Sequence, residues 1–355
     1  KGPRARSVGR GVLVLVLAAC AQAAAAPLPI RFDRFDQESG LSQLAVNAIA
    51  QDAAGFLWLG TEEGLDQFDG YAFHPSRHDR LDKTSLANNF IADLEAGADG
   101  SLWVATDGGG VVRRNPASGA YERVGLASMR RVRALRLDRA GRLWIAGREG
   151  GLASFDPATR RVVRYRHAAD DTNTLPSNSL FAILEDRRGD IWIGTEKGLA
   201  RFDAASRRIV REEIPGARNV LVRALLEDQA GRIWIGTYSG LLRFDPATRR
   251  FARFALPSDT IDALLEDSER RLWVGTTAGL ALFDPARDAF DIYRHDAANP
   301  HSLPDDRVTA LHADRGGILW IGTKFGGLAR GNPRAWSFGH RATGNTMAFT
   351  QDRDG

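Results

Sequence analysis

One short hydrophobic pattern, in which tryptophan lies between two aliphatic residues, recurs along most of the chain. A small residue and then usually threonine follow it, as in segment 232–237, Arg-Ile-Trp-Ile-Gly-Thr. The copies are centred on Trp58, Trp103, Trp144, Trp192, Trp234, Trp273 and Trp320. Consecutive tryptophans lie 39 to 48 residues apart, and a period of this size is typical of repeat architectures. The pattern therefore predicts seven copies of one structural unit.

Each unit is predicted to form four short strands, which the fourth copy shows most clearly. Residues 179–185 are apolar and rich in β-formers, which predicts strand one, and a turn with Asp at its start and Gly at its end follows. The tryptophan segment 191–195 is strand two, and residues 199–203 are strand three. In other copies an Asp-Pro turn introduces strand four, as at residues 250–254. Four antiparallel strands at this spacing are typical of a propeller blade.

The fold class predicted is all-β, a β-propeller of about seven four-stranded blades. Stacking blades around an axis buries both faces of each blade, which explains why apolar residues occupy both faces of these strands. The tryptophans are then predicted to lie in the core between blades, with Trp192, Trp234 and Trp273 largely buried. Residues 30–35 look like a strand four without its preceding three, so we expect ring closure to pair them with the seventh unit, residues 308–330.

The N-terminal segment has the pattern of a targeting signal. Four basic residues precede an apolar run at 11–19 and a stretch of small residues at 23–26. This order is typical of a secretory signal peptide, which we assign to residues 1–26. Leu17 to Cys20 also fits a lipobox, in which Cys20 would become a lipidated N-terminus, and a buried core helix is a third interpretation. Both of the first two interpretations predict an exported protein.

At the C-terminal end, residues 347–355 match the lead-in to the tryptophan segments. We therefore expect residues 27–340 to form the propeller, with the strand around Trp336 leading onward. Residues 341–355 would then begin a further blade or a second propeller, and the protein would continue beyond Gly355. The sequence leaves open whether seven or eight blades close the ring.

Charge argues against one class of function. The chain has 48 Lys and Arg against 44 Asp and Glu, and the four extra basic residues all lie in the leader. The remainder is neutral overall, so the clustered positive charge of a nucleic-acid surface is not indicated and no nucleic-acid partner is predicted. The single cysteine, Cys20, excludes a disulfide scaffold and cysteine-ligated metal sites in the mature chain.

The residue types that could carry out catalysis or bind a metal recur at fixed positions of the repeated unit. Three of the seven histidines, His78, His167 and His295, come after arginine at one position of the unit, so repeated structure explains them better than a unique site. The acids of the Leu-Glu-Asp lead-ins are also periodic, which indicates turn caps. No nucleophile elbow, phosphate loop or dinucleotide fingerprint is present. We therefore predict no catalytic, cofactor-binding or metal-binding residue.

Three units carry a longer loop before strand one, at residues 81–86, 171–176 and 299–304. Loops at the face of a propeller are where ligands commonly bind. The candidate ligand-contacting residues are Asp171, Thr172, Asn173, Asn299, His301 and Ser302. The alternative interpretation is that the loops pack against a neighbouring blade as a structural feature.

The repeat closely resembles the two-component regulator propeller repeat, the periplasmic sensor unit of hybrid histidine kinases and related receptors. The likeness covers about residues 30–355. It is carried by the opening at 35–42, the lead-in 225–228, the tryptophan segment 231–237, Gly240-Leu241 and Phe244-Asp245.

The resemblance implies a sensor that binds an extracellular ligand and signals across the inner membrane. In this family two seven-bladed propellers commonly precede an immunoglobulin-like domain, a membrane span and a cytoplasmic histidine kinase or diguanylate cyclase. It also implies dimerisation through those downstream domains, with carbohydrate fragments as the first ligands to screen. Streptogramin lyases share similar repeats, so a secreted or lipid-anchored propeller enzyme or binding protein is the alternative.

Overall fold

The structure is a computed structural model that describes residues 30–126, 129–216 and 220–334. These residues form seven four-stranded antiparallel sheets and contain no helix, which confirms the predicted seven-bladed β-propeller. The leader 1–26, the strand expected around Trp336 and the expected start of a further repeat at 341–355 lie outside the described residues.

Blades 1 to 6 each use four consecutive strands, and blade 7 combines the last three strands with the first. The strands are β1 Phe32–Phe35, β2 Val46–Gln51, β3 Leu57–Thr61, β4 Leu65–Phe68, β5 Phe73–Ser76, β6 Ile91–Ala96, β7 Leu102–Thr106, β8 Gly110–Arg114, β9 Tyr121–Arg123, β10 Val132–Leu137, β11 Leu143–Gly147, β12 Gly151–Phe155, β13 Val162–Tyr165, β14 Leu180–Glu185, β15 Ile191–Thr195, β16 Gly198–Asp203, β17 Arg208–Glu212, β18 Val222–Glu227, β19 Ile233–Thr237, β20 Gly240–Asp245, β21 Arg250–Phe254, β22 Ile261–Glu266, β23 Leu272–Thr276, β24 Gly279–Asp284, β25 Ala289–Tyr293, β26 Val308–Ala313, β27 Leu319–Thr323 and β28 Leu328–Gly331. Blade 1 is β2–β5, blade 2 is β6–β9, blade 3 is β10–β13, blade 4 is β14–β17, blade 5 is β18–β21, blade 6 is β22–β25, and blade 7 is β26–β28 with β1.

Ring closure depends on β1, which supplies the outer strand of blade 7. It pairs antiparallel with β28, with Phe32 opposite Gly331 and Phe35 opposite Leu328. The first strands of neighbouring blades contact each other around the axis, and β26 of blade 7 contacts β2 of blade 1. The expectation that residues 30–35 complete the seventh unit is therefore confirmed. Closure of this kind covers the strand edge that a three-stranded blade 7 would expose.

A buried hydrogen bond joins the tryptophan of six blades to the turn before it. In blade 5 the indole Nε1 of Trp234 donates to Asp228 Oδ2 at 2.9 Å, and Asp228 Oδ1 accepts the backbone N–H of Arg232 at 2.9 Å. The bond recurs at 2.8–2.9 Å in the pairs Trp58–Asp52, Trp144–Asp138, Trp192–Asp186, Trp273–Asp267 and Trp320–Asp314. The interpretation of these acids as turn caps is confirmed, and the structure adds their bond to the indole.

The tryptophans lie in the core between blades, as predicted. Trp192, Trp234 and Trp273 are each at most 2% exposed. Trp234 of blade 5 packs edge-on against Phe283 of blade 6, with ring centroids 5.5 Å apart, and shares a buried cluster with Ile261 of that blade. The indole therefore binds its own blade through the hydrogen bond and the next blade through apolar contact.

The glycine two residues after the tryptophan, in the same strand, is required by the same inter-blade contact. A Cβ added at Gly236 would lie 2.8 Å from the Ile261 side chain of the next blade. Added Cβ atoms at Gly60, Gly194, Gly275 and Gly322 would lie 2.6–2.9 Å from the nearest atom of the following blade. Glycine at this position lets adjacent blades approach closely.

Replacing Trp234 by alanine is expected to lower the free energy of unfolding by about 3–5 kcal/mol, because a large buried side chain is lost and a cavity remains. Tyr71→Ala, at a side chain that is 97% exposed, is the matched control and should change the same quantity by no more than about 0.5 kcal/mol. Urea denaturation followed by circular dichroism measures both. An unchanged midpoint for the Trp234 variant would contradict its place in the core.

Candidate functional site

The three long loops share one local structure, which the repeated histidine fixes. The histidine Nδ1 donates to a leucine carbonyl at 2.6–2.7 Å in the pairs His78–Leu86, His167–Leu175 and His295–Leu303. All three leucines are fully buried in the core between blades. The interpretation of these histidines as repeated structure is confirmed.

The loop before blade 4 is tied to the outer strand of that blade. Arg211 on β17 donates to the carbonyl oxygen of Thr174 at 2.8 Å and to that of Asp171 at 2.9 Å. The candidate residues Asp171, Thr172 and Asn173 are exposed, and Asp171 Oδ1 accepts the backbone N–H of Asn173 at 2.8 Å. Their role as ligand contacts stays a prediction, while the contacts with Arg211 show that the loop also anchors to β17.

The loop before blade 7 holds the closing strand β1. The backbone N–H of Phe32 donates to the carbonyl of His301 at 2.9 Å. Arg34 donates to Ser302 Oγ at 2.7 Å and to the carbonyl of Asn299 at 2.9 Å. These three candidate residues therefore contribute to ring closure, and their binding of a ligand stays a prediction. Within the described ranges, no hydrogen bond joins this loop to the loop before blade 4.

A cavity of about 380 Å³ lies on the ring axis. Its wall is formed by the first strand of every blade: β2, β6, β10, β14, β18, β22 and β26. Its rim includes Glu62 and Lys324, from turns between strands two and three, and Phe90 and Arg307, which directly precede strands one. We call this opening the channel mouth, and the face on which it opens the mouth face.

One position of the repeat supplies a side chain to the channel mouth from every blade. Strand one has a register shift after its first residue, so its second residue is left out of the ladder. The first residue is always aliphatic and fully buried, whereas the second residues are Asn47, Ala92, Arg133, Phe181, Arg223, Asp262 and Thr309. Sequence reasoning missed this site, and the loss of periodicity at this position is the signal that could have found it.

On the side of blades 5 to 7, the carboxylate of Asp262 faces two arginines. The side chain of Asp262 is fully buried, forms an ion pair with Arg223 and lies 3.7 Å from Nε of Arg307. Arg223 also donates to Tyr238 Oη at 3.2 Å, and its guanidinium lies 5.8 Å from the centre of that ring. This part of the channel mouth therefore carries more positive than negative charge.

On the side of blade 3, several arginines lie close together. Arg133 donates to Asp107 at 3.1 Å, and Arg131 donates to the same carboxylate at 2.8 Å. Burial lowers the pKa of Arg133; Asp107 opposes this shift, and the like charges of Arg148, Arg223 and Arg131 add to it. Such a group of guanidiniums, with Arg133 partly buried, can bind an anion.

The family profile described as two component regulator propeller matches five segments, at residues 40–63, 174–197, 216–239, 255–278 and 302–325. Each segment contains one of the tryptophan strands. The chain therefore carries five repeats of the two-component regulator propeller type. The resemblance read from the repeats is therefore confirmed.

Solved structures share the whole ring. The extracellular domain of the hybrid two-component system BT3049 from B. thetaiotaomicron aligns with a TM-score of 0.76 at 25% identity, over 85% of this chain and 42% of that domain. A virginiamycin B lyase from Staphylococcus aureus aligns with a TM-score of 0.66 at 11% identity, over 85% of this chain and 99% of the lyase. The second likeness shows the fold alone, whereas the first agrees with the family.

Among curated proteins, Histidine kinase P4 of Formosa agariphila is 45% identical over 56 residues. That match covers 16% of this chain and 4% of the kinase. The matched segment is therefore a small part of the kinase, and the propeller aligns with less than half of the BT3049 domain. The extracellular domains among the neighbours suggest an extracytoplasmic location for the propeller.

In the part of the chain that the structure describes, no three His, Cys, Asp or Glu side chains lie close enough together to bind a metal ion. His74 and His78 are four residues apart, but His74 pairs with Asp69 at 2.9 Å while His78 bonds the loop carbonyl. Residues 30–126, 129–216 and 220–334 also contain no helix long and apolar enough to cross a membrane.

Asp93 gives the channel wall a titratable group. It occupies the third position of β6, where the other six blades have alanine. Its carboxylate accepts the backbone N–H of Leu135 on the next blade at 2.7 Å and that of Leu94 at 2.9 Å. Burial raises the pKa of Asp93 to about 7; the Leu135 N–H opposes this shift and the nearby Glu95 adds to it. The carboxyl group therefore changes its charge near neutral pH.

Replacing Asp93 by alanine, the residue of the other blades, is expected to remove a pH dependence of stability. The pKa of Asp93 in the folded state lies above the ordinary aspartate value of 3.8, so the folded protein binds more protons than the unfolded chain between pH values of about 4 and 7. Stability of the parent therefore falls as the pH rises from about 4 to about 7. Over this window the variant should gain stability relative to the parent, by no more than about 4 kcal/mol.

Urea denaturation at several pH values measures this difference. Asp156→Ala is the control with the opposite sign, because the N–H of Thr159 lowers the pKa of that exposed carboxylate. Its loss should make the protein less stable, relative to the parent, as the pH rises through the acidic range. A difference between the Asp93 variant and the parent that stays constant from about pH 4 to 8 would show that Asp93 is not perturbed.

Proposed function

We propose that this propeller is the ligand-sensing region of a membrane-bound signal-transduction receptor, either a two-component sensor kinase or a diguanylate cyclase. The observation that carries the proposal is the combination of five matched family repeats with a likeness over 85% of the chain to an extracellular domain of a hybrid two-component system. In this proposal the propeller itself has no catalytic role, and a kinase or cyclase activity belongs to a region beyond Gly355.

The same proposal assigns a location and partners. The propeller would lie in the periplasm, exported by the leader 1–26 or lipidated at Cys20, and joined downstream to an inner-membrane span. Its partner would be an extracellular ligand, with carbohydrate fragments as the first class to screen, and a second copy bound through downstream domains. No nucleic-acid partner is proposed, because the chain beyond the leader is neutral overall.

The test uses the full-length protein in membrane vesicles with the propeller accessible to added ligand. Oligosaccharide fragments are added one at a time, and phosphorylation or cyclic dinucleotide synthesis is measured on the other side of the membrane. We expect at least one fragment to change the output several-fold, because a ligand that binds one receptor state better shifts the population toward it.

Two variants make this test specific. Thr172→Ala with Asn173→Ala removes exposed side chains of the candidate loop, and we expect it to weaken the response if that loop contacts the ligand. Tyr71→Ala, on a turn of the opposite face, is the control and should respond like the parent. Turnover of the fragments by the propeller, without any change in output, would refute the sensor proposal and favour a propeller enzyme.

A further inference from the structure

Two guanidinium groups at the channel mouth have hydrogen-bond donors that the fold does not use. Arg307 makes no side-chain hydrogen bond within the described residues. Its Nε is buried and lies 3.7 Å from Oδ2 of Asp262, which is too far for a hydrogen bond. Arg133 bonds to Asp107, but its Nε is also buried without a hydrogen-bond partner. A guanidinium has five N–H donors, and buried donors without acceptors are unfavourable, so both side chains can take a further acceptor.

The cavity wall also carries more basic than acidic side chains, which favours an anion as the ligand. Its charged side chains are Arg133, Arg223, Arg307 and Lys324 against Glu62, Asp93 and Asp262. Lys324 is paired with Glu62, whereas the single carboxylate of Asp262 faces both Arg223 and Arg307. A bound negative charge would therefore be attracted to the arginine side of the cavity.

The arrangement also favours a particular kind of anion. The three arginines come from blades 3, 5 and 7, so they approach the axis from three sides. The planar guanidinium matches the two oxygens of a carboxylate. Phe90 and Phe181 line the same cavity, and Tyr238, beside Arg223, is 45% exposed. These rings offer apolar surface for the rest of an organic ligand.

We propose that the channel mouth binds a ligand through its carboxylate, which Arg133, Arg223 and Arg307 hold. This inference rests on the proposed function and deepens it, because it names the chemical group that the sensor detects. The carboxylate belongs either to an acidic sugar or to a simple organic acid, and the two sources are separated by the choice of probes.

Isothermal titration of the purified full chain with galacturonate, galactose and succinate tests the proposal. Galacturonate and galactose differ only in a carboxylate against a hydroxymethyl group. We expect an acid to bind at least about tenfold more tightly than galactose. This is the difference in affinity that one hydrogen bond to a charged group provides. Binding of galacturonate alone supports an acidic sugar, and binding of succinate supports a simple acid. Measurable binding of galacturonate and galactose with equal affinity, or binding of neither acid, overturns the proposal.

Charge-changing variants locate the site. Arg307→Gln should weaken binding of the acid by about tenfold or more. Asp262→Asn should strengthen it, because the variant removes a competing carboxylate, and a gain of binding excludes a folding defect as the cause. Arg250→Gln, at an exposed residue of β21, makes the same change in net charge as Arg307→Gln and is the matched control. Equal effects of the two arginine variants, or weaker binding by Asp262→Asn, would overturn the proposed site.

Failure of this inference and failure of the sensor proposal give different results. A ligand-dependent output in vesicles that Arg307→Gln leaves unchanged overturns the carboxylate site and leaves the sensor standing. Carboxylate binding that depends on Arg307, without any ligand-dependent output, overturns the sensor and leaves the site standing.

Discussion

The hydrogen bond between a buried indole N–H and the carboxylate of the preceding turn is the interaction on which most blades depend. Tryptophan fills the space between blades, but its N–H needs an acceptor once it is buried. The turn aspartate supplies that acceptor and also caps the turn, so one carboxylate links the turn to the core. Blade 2 lacks this bond among the described residues: Gly97 replaces the aspartate, Asp99 caps the turn through Ser101, and Arg113 lies 5.5 Å from the centre of the Trp103 ring.

Polar contacts between adjacent blades extend this arrangement around the ring. Glu185 of blade 4 accepts the backbone N–H of Arg139 in the turn of blade 3 at 3.1 Å. Glu227 of blade 5 accepts that of Arg187 in blade 4 at 2.8 Å, and Arg187 donates back to the carbonyl of Asp228 at 2.8 Å. Each contact joins nearest neighbours, as in other repeat proteins. Pairing of β1 with β28 is therefore what turns a row of blades into a closed ring.

The fold could be predicted from the sequence because each blade is specified locally. Tryptophan, the turn aspartate and the packing glycine recur at nearly fixed offsets, and residues 30–35 could be recognised as a strand that lacked its three partners. The channel mouth could not be predicted in this way. Arg133 and Arg307 lie in different blades, and only closure of the ring brings them to one cavity. The candidate loops were recognised by their length, which does not reveal that all three are hydrogen-bonded to the outer strand of a blade.

The channel mouth and the point where the chain leaves blade 7 lie on opposite faces of the ring. β28 runs away from the mouth face, and the residues after it contact blade 6: Arg271 donates to the carbonyl of Pro333 at 3.2 Å, and Arg334 pairs with Glu269 at 2.6 Å. Glu269 belongs to the turn that follows β22, and the second residue of β22 is Asp262 at the channel mouth. A ligand influences the chain beyond the ring only if it binds two arrangements of the propeller with different affinity. Blade 6 touches both the mouth arginines and the exit segment, so a rearrangement around Asp262 has a direct physical connection to the segment that leaves the ring.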